Sequence, residues 1–176
     1  MPLWSANWIR QTGSQRIIGS FNNAAVGTAL GHANGVQALD RSRQVIAFCG
    51  DGGLTMLLGD LITAVTHELP VRLVVFDNGR LGMVKLEQEQ GGLPEFGTDL
   101  ANPDLAAVAR AMGLHAVRVE DAEALDGAVR EAFAQDGPVL LDVITNPDEV
   151  ALPPKVTASD AWGFAVAKLS ETLESR

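Results

Sequence analysis

Residues 44–53 read Gln-Val-Ile-Ala-Phe-Cys-Gly-Asp-Gly-Gly, an apolar run that ends in a glycine-flanked aspartate, Asp51. A second apolar run covers residues 71–76 and is followed by Asn78. Short, continuous apolar runs are typical of strands that are buried on both faces of a parallel sheet. The segment between the two runs, residues 54–68, has the length and the apolar face of a helix. The stretch therefore predicts a β–α–β unit with a right-handed crossover.

The positions of Asp51 and Asn78 predict a ligand site, because open α/β sheets bind ligands at the carboxyl ends of their strands. Carboxylate and amide oxygens suit a hard cation such as Mg²⁺, which takes its other ligands from phosphate and water. Glycines let the backbone approach a phosphate, and the N–H groups at the start of the following helix point at it. A Gly-Asp-Gly sequence alone would also suit an ordinary turn. The prediction of a joint cation and diphosphate site therefore depends on Asn78.

The rest of the chain continues the alternation of strands and helices. Asn102 followed by Pro103 predicts a helix N-cap, and Gly113 the corresponding C-cap. Pro70 is predicted to stop the first helix. The alternation predicts one α/β domain over residues 1–176, doubly wound, with a mainly parallel sheet and helices on both faces. Further helices are predicted over 22–39, 103–112, 121–135 and 159–173, further strands over 17–20, 114–120 and 139–145, and irregular segments over 87–102 and 147–154.

Three features allow two interpretations each. Trp4 and Trp8, one helical turn apart, form either a docking face or a core contact. The many Gly and Ala residues of 22–39 predict close packing against either a neighbouring subunit or a cofactor. The charged residues of the segment 85–89 form either a solvated helix face or, through Glu87, part of a substrate mouth.

Composition limits the classes of function. A hydrophobic fraction of 47% and a net charge of −9 indicate a globular chain, and the acidic balance argues against a nucleic-acid partner. The single cysteine, Cys49, excludes an internal disulfide and fits a reducing compartment. No apolar stretch reaches the ~20 residues that span a bilayer, and no secretory pattern opens the chain. We therefore expect a cytoplasmic protein with no membrane segment.

Other chemical motifs are missing from the sequence. His32, His67 and His115 have no partners at zinc-binding spacing. No dinucleotide fingerprint, P-loop or nucleophile elbow is present. Cys49 is expected to be a small buried core residue rather than a reactive thiol.

The spacing of Gly-Asp-Gly (50–52) and Asn78, with the 25 residues 53–77 between them, resembles the signature of thiamine diphosphate-dependent enzymes. Residues 48–61, 69–78 and 81–89 are similar to the pyruvate oxidase branch of that family, and most of all to the quinone-dependent pyruvate dehydrogenases. The resemblance extends from about Trp4 to about Leu173.

The resemblance implies thiamine diphosphate and Mg²⁺ as cofactors. The implied Mg²⁺ ligands are the side chains of Asp51 and Asn78 and the backbone carbonyl of Arg80. Asp77 stands where the family commonly has the first Asn of an Asn-Asn pair. Gly52 and Gly53 would hold the diphosphate.

The resemblance also implies contacts with the rings of the cofactor. Val26 occupies the position of a bulky apolar wedge that bends the cofactor, although it is shorter than the usual residue. The remaining implied cofactor-binding residues are Ala24, Ala25, Leu81, Gly82 and Met83.

The implied function is that of the C-terminal, diphosphate-binding domain of an oxidase that decarboxylates pyruvate, or a similar 2-keto acid, to acetate or acetyl phosphate. The expected partner is the pyrimidine-binding domain of a neighbouring subunit in a homo-oligomer. That domain would supply the activating glutamate, so no catalytic residue is expected in this chain. FAD would belong to the parent enzyme and not to this domain alone.

Neither a pyrimidine-binding nor a flavin-binding domain is recognised in residues 1–176. The chain is therefore expected to be part of a larger enzyme or a separate subunit, and to be inactive alone. An acetolactate synthase-like domain and a non-catalytic binding or scaffold module are the alternatives.

Overall fold

A computed structural model describes residues 2–149 and 157–174 of the chain. Within these residues the strands are β1 (Ile46–Gly50), β2 (Arg72–Asp77), β3 (His115–Val119) and β4 (Val139–Ile144). The helices are α1 (Pro2–Trp8), α2 (Thr28–Leu39), α3 (Asp51–Met56), α4 (Leu61–Thr66), α5 (Gly82–Gln90), α6 (Leu105–Ala111), α7 (Leu125–Phe133) and α8 (Ala158–Glu174). Short 3₁₀ turns cover Leu58–Asp60 and Ala122–Ala124.

The four described strands form one sheet in the order β1-β2-β4-β3, and every neighbouring pair is parallel. The chain divides into two compact units. The first contains the whole sheet and consists of the residues up to Asn78 together with Asn102–Thr145. The second consists of Gly79–Ala101 and the residues from Asn146 onward. The predicted α/β class with a parallel sheet is confirmed.

Alternate side chains of the strands enter two hydrophobic clusters, one on each face of the sheet. In β4, Leu140 belongs to the first cluster, whereas Val139 and Leu141 belong to the second. Helices α4 and α6 contribute to the first cluster and α7 to the second, so helices cover both faces, as predicted. Cys49 is 5% exposed in the first cluster, and burial raises the pKa of its thiol to about 12. It is a core residue, as expected.

The β–α–β unit is confirmed, but its helix differs from the prediction. It begins at Asp51, three residues early, and breaks at Leu57, where φ is −124° and ψ is 29°. The second part, α4, ends at Thr66 rather than at Pro70. Glu68 turns the chain with φ +49°, and the N–H of Leu69 donates to the carbonyl of Ala64 at 2.8 Å. This helix-terminating turn acts before the proline, so the predicted role of Pro70 is wrong.

Two predictions for residues 17–39 are corrected. The predicted strand over 17–20 is wrong, because this segment is irregular and exposed. The predicted helix 22–39 begins only at Thr28, because Gly27 precedes it with φ +87°, a left-handed conformation outside a helix. Among the described residues, no atom outside the adjoining residues and the backbone of this helix lies within 4 Å of a Cβ built on Gly31 or Gly35. Close packing of a subunit or cofactor against this helix therefore stays a prediction.

Helix α1 confirms the helical spacing of Trp4 and Trp8. Trp8 is 77% exposed and is not an ordinary core residue. A cavity of about 330 Å³ beside it is lined almost only by apolar side chains. The lining residues are Trp4, Ser5, Trp8, Ile9, Phe48 and Phe76.

In the second unit, α5 packs against α8, and this packing buries charged residues of α5. Lys85 and Glu89 are 4% and 1% exposed. The Lys85 ammonium donates to Asp148 at 2.8 Å, and the Lys168 ammonium of α8 donates to Glu89 at 2.5 Å. The interpretation of residues 85–89 as a solvated face is therefore wrong for Lys85 and Glu89, although Glu87 is exposed.

The boundaries of the second unit follow from the same contact. The predicted irregular segment 87–102 begins only after Gln90, where α5 ends. A Cβ on Gly163 would lie 2.0 Å from the Gln90 carbonyl oxygen, so only glycine allows α8 to approach α5 so closely. The closing helix is confirmed as α8, and most of the predicted linker 147–154 lies outside the described residues. Among the described helices, none is both long and apolar enough to cross a membrane.

Helices α6 and α7 differ from the predictions in detail. The N-cap of α6 is Asp104, whose Oδ1 accepts from the N–H of Ala107 at 2.7 Å. The prediction that Asn102 caps this helix is wrong. Gly113 follows the helix with φ +99°, in agreement with its predicted terminal position. In α7, Ala128 and Ala132 are buried, whereas Val129 is 36% exposed.

We predict that Asp104→Ala lowers the free energy of unfolding by about 1 kcal/mol, because the side-chain acceptor for the first turn of α6 is lost. Urea denaturation followed by circular dichroism measures this change. Asp104→Asn is the matched control, since asparagine keeps the cap while removing the charge. Equal destabilisation by both variants would show that the carboxylate charge, and not the cap, stabilises α6.

Candidate functional site

Four charged side chains form a row across the carboxyl end of the sheet: Asp51, Asp77, Asp142 and Arg118. Gly50 of β1 is paired with Phe76 of β2, so Asp51, the first residue of α3, and Asp77, the last residue of β2, each directly follow a paired residue. Arg118 of β3 is paired with Asp142 of β4. Each position continues the alternation that sends Cys49, Val75, Leu140 and Ala116 into the first hydrophobic cluster. The row therefore faces the side of the sheet that α4 and α6 cover.

Direct contacts connect the members of this row. The Asn102 amide nitrogen donates to Asp51 Oδ2 at 2.7 Å and to Asp77 Oδ1 at 2.9 Å. Arg118 Nη1 donates to Asp142 Oδ2 at 2.8 Å and lies 3.9 Å from Asp77 Oδ2. At its outer end Arg118 pairs with Glu120 at 2.9 Å. The contacts run without interruption from β1 to β3.

The three carboxylates of the row are buried, since Asp51, Asp77 and Asp142 are 2%, 6% and 0% exposed. Burial raises the pKa of Asp51, and the Asp77 carboxyl raises it further, against the bonds from the Gly52 N–H and the Asn102 amide. Burial, and then the charge of Asp77, raise the pKa of Asp142, while Arg118 acts in the opposite direction. The site therefore concentrates negative charge in a region of low dielectric, an environment that favours a bound cation.

Two glycine-bearing segments meet beside Asp51. A Cβ on Gly53 would lie 3.3 Å from the Gly27 nitrogen and 3.5 Å from Val26 Cγ1. A Cβ on Gly27 would lie 3.0 Å from the Gly53 carbonyl oxygen. The segment before Gly27 turns through Ala24, which has φ +47°. The structure thus brings the predicted residue Val26 against Gly53, and Val26 itself is 58% exposed. No close contact of Ala24 or Ala25 with Gly53 accompanies it among the nearest atoms.

The remaining predicted residues are divided between the two units. Asn78 directly follows β2 in the first unit, one residue beyond Asp77. Arg80 and the residues Leu81, Gly82 and Met83 belong to the second unit. There the backbone of Arg80 pairs with that of Asp99, and the N–H of Leu81 donates to the Thr98 carbonyl at 2.8 Å. The Arg80 guanidinium is paired with Glu95.

Asn102, Arg118 and Asp142 were not among the predicted site residues. Asp142 and Arg118 interrupt apolar strands, and a charge at a buried strand position requires a partner, so this signal was available in the sequence. Asn102 gave no such signal, because Asn-Pro is also ordinary helix-start chemistry. Its partners lie far away in the chain, since Asp51 is 51 positions and Asp77 is 25 positions before Asn102.

The donor set fits a hard cation that shares a phosphate. Among the described residues, no group of three or more His, Cys, Asp and Glu side chains could hold a metal ion on its own. Mg²⁺ does not require such a group, because it uses one or two protein carboxylates and completes its shell with phosphate oxygens and water. Gly53, two residues after Asp51 in the chain, and Gly27 bring two backbone segments close together, and backbone that carries no side chain at these positions fits a phosphate ligand.

Comparisons with known proteins agree on one family. Residues 1–143 match the family described as "Thiamine pyrophosphate enzyme, C-terminal TPP binding domain". YdaP of Bacillus subtilis, a protein whose name assigns it thiamine pyrophosphate, is 37% identical over the whole chain, which spans 30% of YdaP. The pyruvate oxidase of Lactiplantibacillus plantarum is 34% identical over 89% of the chain, which spans 26% of that enzyme. Acetolactate synthases and a benzoylformate decarboxylase are also among the relatives.

A solved structure is similar as well. It is the thiamine diphosphate-dependent 4-hydroxybenzoylformate decarboxylase of Rhodococcus jostii RHA1, with a TM-score of 0.67 and 31% identity. The match covers 71% of this chain and 24% of that enzyme. The chain thus spans less than a third of the length of each of these relatives.

We predict that Asp51→Asn increases the free energy of unfolding of the metal-free protein at pH 7, because it removes one of two adjacent buried carboxylates. The pKa of Asp51 is raised in the folded protein, so the folded state prefers the protonated carboxyl. The stability that this carboxyl contributes is therefore present below about pH 4, where the unfolded chain is protonated too, and is lost as the pH rises through the folded-state pKa. The advantage of Asp51→Asn should therefore shrink as the pH falls toward 4.

Denaturation in a chelating buffer between pH 4 and 8 measures this difference. The control is Asp126→Asn, an exposed carboxylate on α7, which should give no pH-dependent difference. A less stable Asp51→Asn protein at pH 7 would contradict the repulsion between Asp51 and Asp77.

Proposed function

The chain belongs to the thiamine pyrophosphate enzymes, as their C-terminal TPP-binding domain, and we propose from this that it holds the diphosphate of the cofactor through Mg²⁺. The observation that carries this proposal is the meeting of Asp51 with Asp77 at adjacent strand ends, with Asn78 next in the chain. We further propose that the complete enzyme decarboxylates pyruvate or a similar 2-keto acid in the pyruvate oxidase branch.

In this proposal Asp51 and Asn78 supply side-chain oxygens to Mg²⁺, and the resemblance adds the backbone carbonyl of Arg80. Two or three protein oxygens leave room in an octahedral shell for phosphate oxygens and water. Asp51 is 2% exposed, so the ion would be largely shielded from solvent and strongly held.

The diphosphate and the rings would lie along the glycine-bearing segments. Gly52 and Gly53 would bind the diphosphate, with Ala24, Ala25 and Val26 beside the rings. Val26 is 58% exposed although it borders Gly53, so its side chain is accessible to a ring. Leu81, Gly82 and Met83 are proposed to complete the binding surface, and Met83 is 45% exposed.

When bound, thiamine diphosphate would supply the electron sink for loss of carbon dioxide from the 2-keto acid. The role of this chain would be to bind and orient the cofactor, since no residue here is proposed to move the activating proton. The activating glutamate would come from the pyrimidine-binding domain of a neighbouring subunit in a homo-oligomer. FAD would belong to the complete oxidase.

Acetolactate synthesis is the second candidate, because acetolactate synthases are relatives at nearly the same identity as pyruvate oxidase: 31% for the Escherichia coli isozyme 2 large subunit against 34%. The similarity of residues 81–89 to the pyruvate oxidase branch favours the oxidase. Assays on any larger protein that carries this chain distinguish the two. Reduction of an electron acceptor supports the oxidase, whereas acetolactate formation from two pyruvate molecules supports the synthase.

We predict that Asp51→Ala abolishes Mg²⁺-dependent binding of thiamine diphosphate. The loss should exceed the about 10–100-fold that removal of an outer-shell partner typically causes. Titration calorimetry with and without Mg²⁺ measures it, and Asp126→Ala on α7 is the matched carboxylate control. Equal affinity of Asp51→Ala and the unmodified chain would refute the cation site.

We also predict no measurable carbon dioxide release from pyruvate by this chain alone, even with saturating thiamine diphosphate, Mg²⁺ and flavin. Loss of general acid–base assistance costs about 10²–10⁴ in rate, and an incomplete cleft loses orientation as well. Turnover at a rate similar to that of a full-length relative would show that the catalytic groups lie within these residues.

A further inference from the structure

Asn102 occupies a central place in the charged row. Its amide nitrogen lies 2.7 Å from Asp51 Oδ2 and 2.9 Å from Asp77 Oδ1. An amide NH₂ group has two protons, and each of them has a carboxylate oxygen to bind. The opposite orientation of the amide would direct its oxygen at two carboxylates, which would repel it. The geometry therefore permits only one orientation of this side chain.

We propose that Asn102 is a positioning residue for the cation site, and that its amide clamps the Asp51 and Asp77 carboxylates side by side and fixes the rotamer of Asp51. This inference rests on the proposed function, because the site that Asn102 serves is the one proposed for Mg²⁺. The direct ligand would be Asp51, and Asn102 would act only through it.

The clamp is needed because the register brings like charges together. Asp51 directly follows β1 and Asp77 ends β2, two neighbouring parallel strands whose axes lie about 4.8 Å apart. Both are buried, at 2% and 6% exposure, so water screens their repulsion poorly. Both carboxylates accept from the Asn102 amide, so loss of this donor would leave their repulsion less compensated and Asp51 less firmly oriented for an ion.

Asn102 is also held firmly enough to act as a clamp. Helix α6 begins three residues later, and its Leu105, Ala106 and Ala109 are completely buried in the first hydrophobic cluster. Pro103 restricts the backbone between them. The amide is therefore attached to a helix that is anchored in the core, and it cannot follow a carboxylate that moves away. Preorganisation of this kind lowers the cost of binding.

The test compares cofactor affinity with fold stability in matched variants. Asn102→Ala removes the amide, and Asn102→Asp keeps its shape but replaces the donor with a third carboxylate. Asp104→Ala is the control, since it weakens the same segment without touching the clamp. Thiamine diphosphate is titrated by calorimetry at saturating Mg²⁺, and thermal unfolding is recorded without either ligand.

We expect Asn102→Ala to lose about 10–100-fold in affinity, as is typical for an outer-shell partner of a metal ligand, and Asn102→Asp to lose at least as much. Asp104→Ala should unfold at a lower temperature and yet bind within twofold of the unmodified chain. If Asn102→Ala does not fold, Asn102→Ser, which keeps one donor, should show an intermediate affinity.

A second comparison tests the two-carboxylate geometry. In an Asp77→Asn background the repulsion is absent, so Asn102→Ala should cost less affinity than it does beside Asp77. Equal costs in the two backgrounds would overturn the clamp. Affinity of Asn102→Ala within twofold of the unmodified chain would also overturn it, and so would an equal loss in Asp104→Ala. Any of these three results, with binding still abolished by Asp51→Ala, would leave the proposed function intact. An unmodified chain that does not bind the cofactor would overturn both.

Discussion

The parallel register of β1, β2 and β4 is the constraint on which the site depends. Alternate side chains of these strands, among them Cys49, Val75 and Leu140, fill the first hydrophobic cluster. A buried aspartate lies two residues after each of these three. A slip of one residue would move a whole strand's apolar set to the wrong face. The packing of Cys49, Val75 and Leu140 in the core therefore determines where the three carboxylates lie. The conformational preferences of the aspartates themselves matter far less.

The row of Asp51, Asp77, Asp142 and Arg118 is rigidly placed, and it concentrates negative charge unfavourably. Three buried carboxylates lie in one row with the Arg118 guanidinium and the Asn102 amide, and burial raises the pKa of both Asp51 and Asp142. Buried charges are stable only when they are paired or bound to a metal. A divalent cation at Asp51 would add positive charge beside these carboxylates. In the proposed function, binding of Mg²⁺ would therefore lower the electrostatic cost of this row.

The sequence predicted those features that depend on local pattern. Apolar runs ending in Asp51 and Asn78 were enough to predict parallel strands and their shared edge, and the buried strands confirm it. Features that depend on distant partners were missed. Asn102 was predicted to be a helix cap, because its contact with Asp51 forms only in the folded chain. Lys85 and Glu89 were predicted to be solvated, because the sequence of α5 does not indicate that α8 packs against it. The break at Leu57 likewise has no proline or glycine at that position to signal it.

The central claim is that the strand ends carrying Asp51 and Asn78 form one cation site. A crystal structure of this chain with Mg²⁺ and thiamine diphosphate tests it most directly. The account predicts an ion about 2.0–2.1 Å from an Asp51 carboxylate oxygen and from the Asn78 amide oxygen, bridged to the diphosphate, with the Asn102 amide still bound to Asp51. A diphosphate and ion bound elsewhere, with no oxygen of Asp51 coordinated, would contradict it.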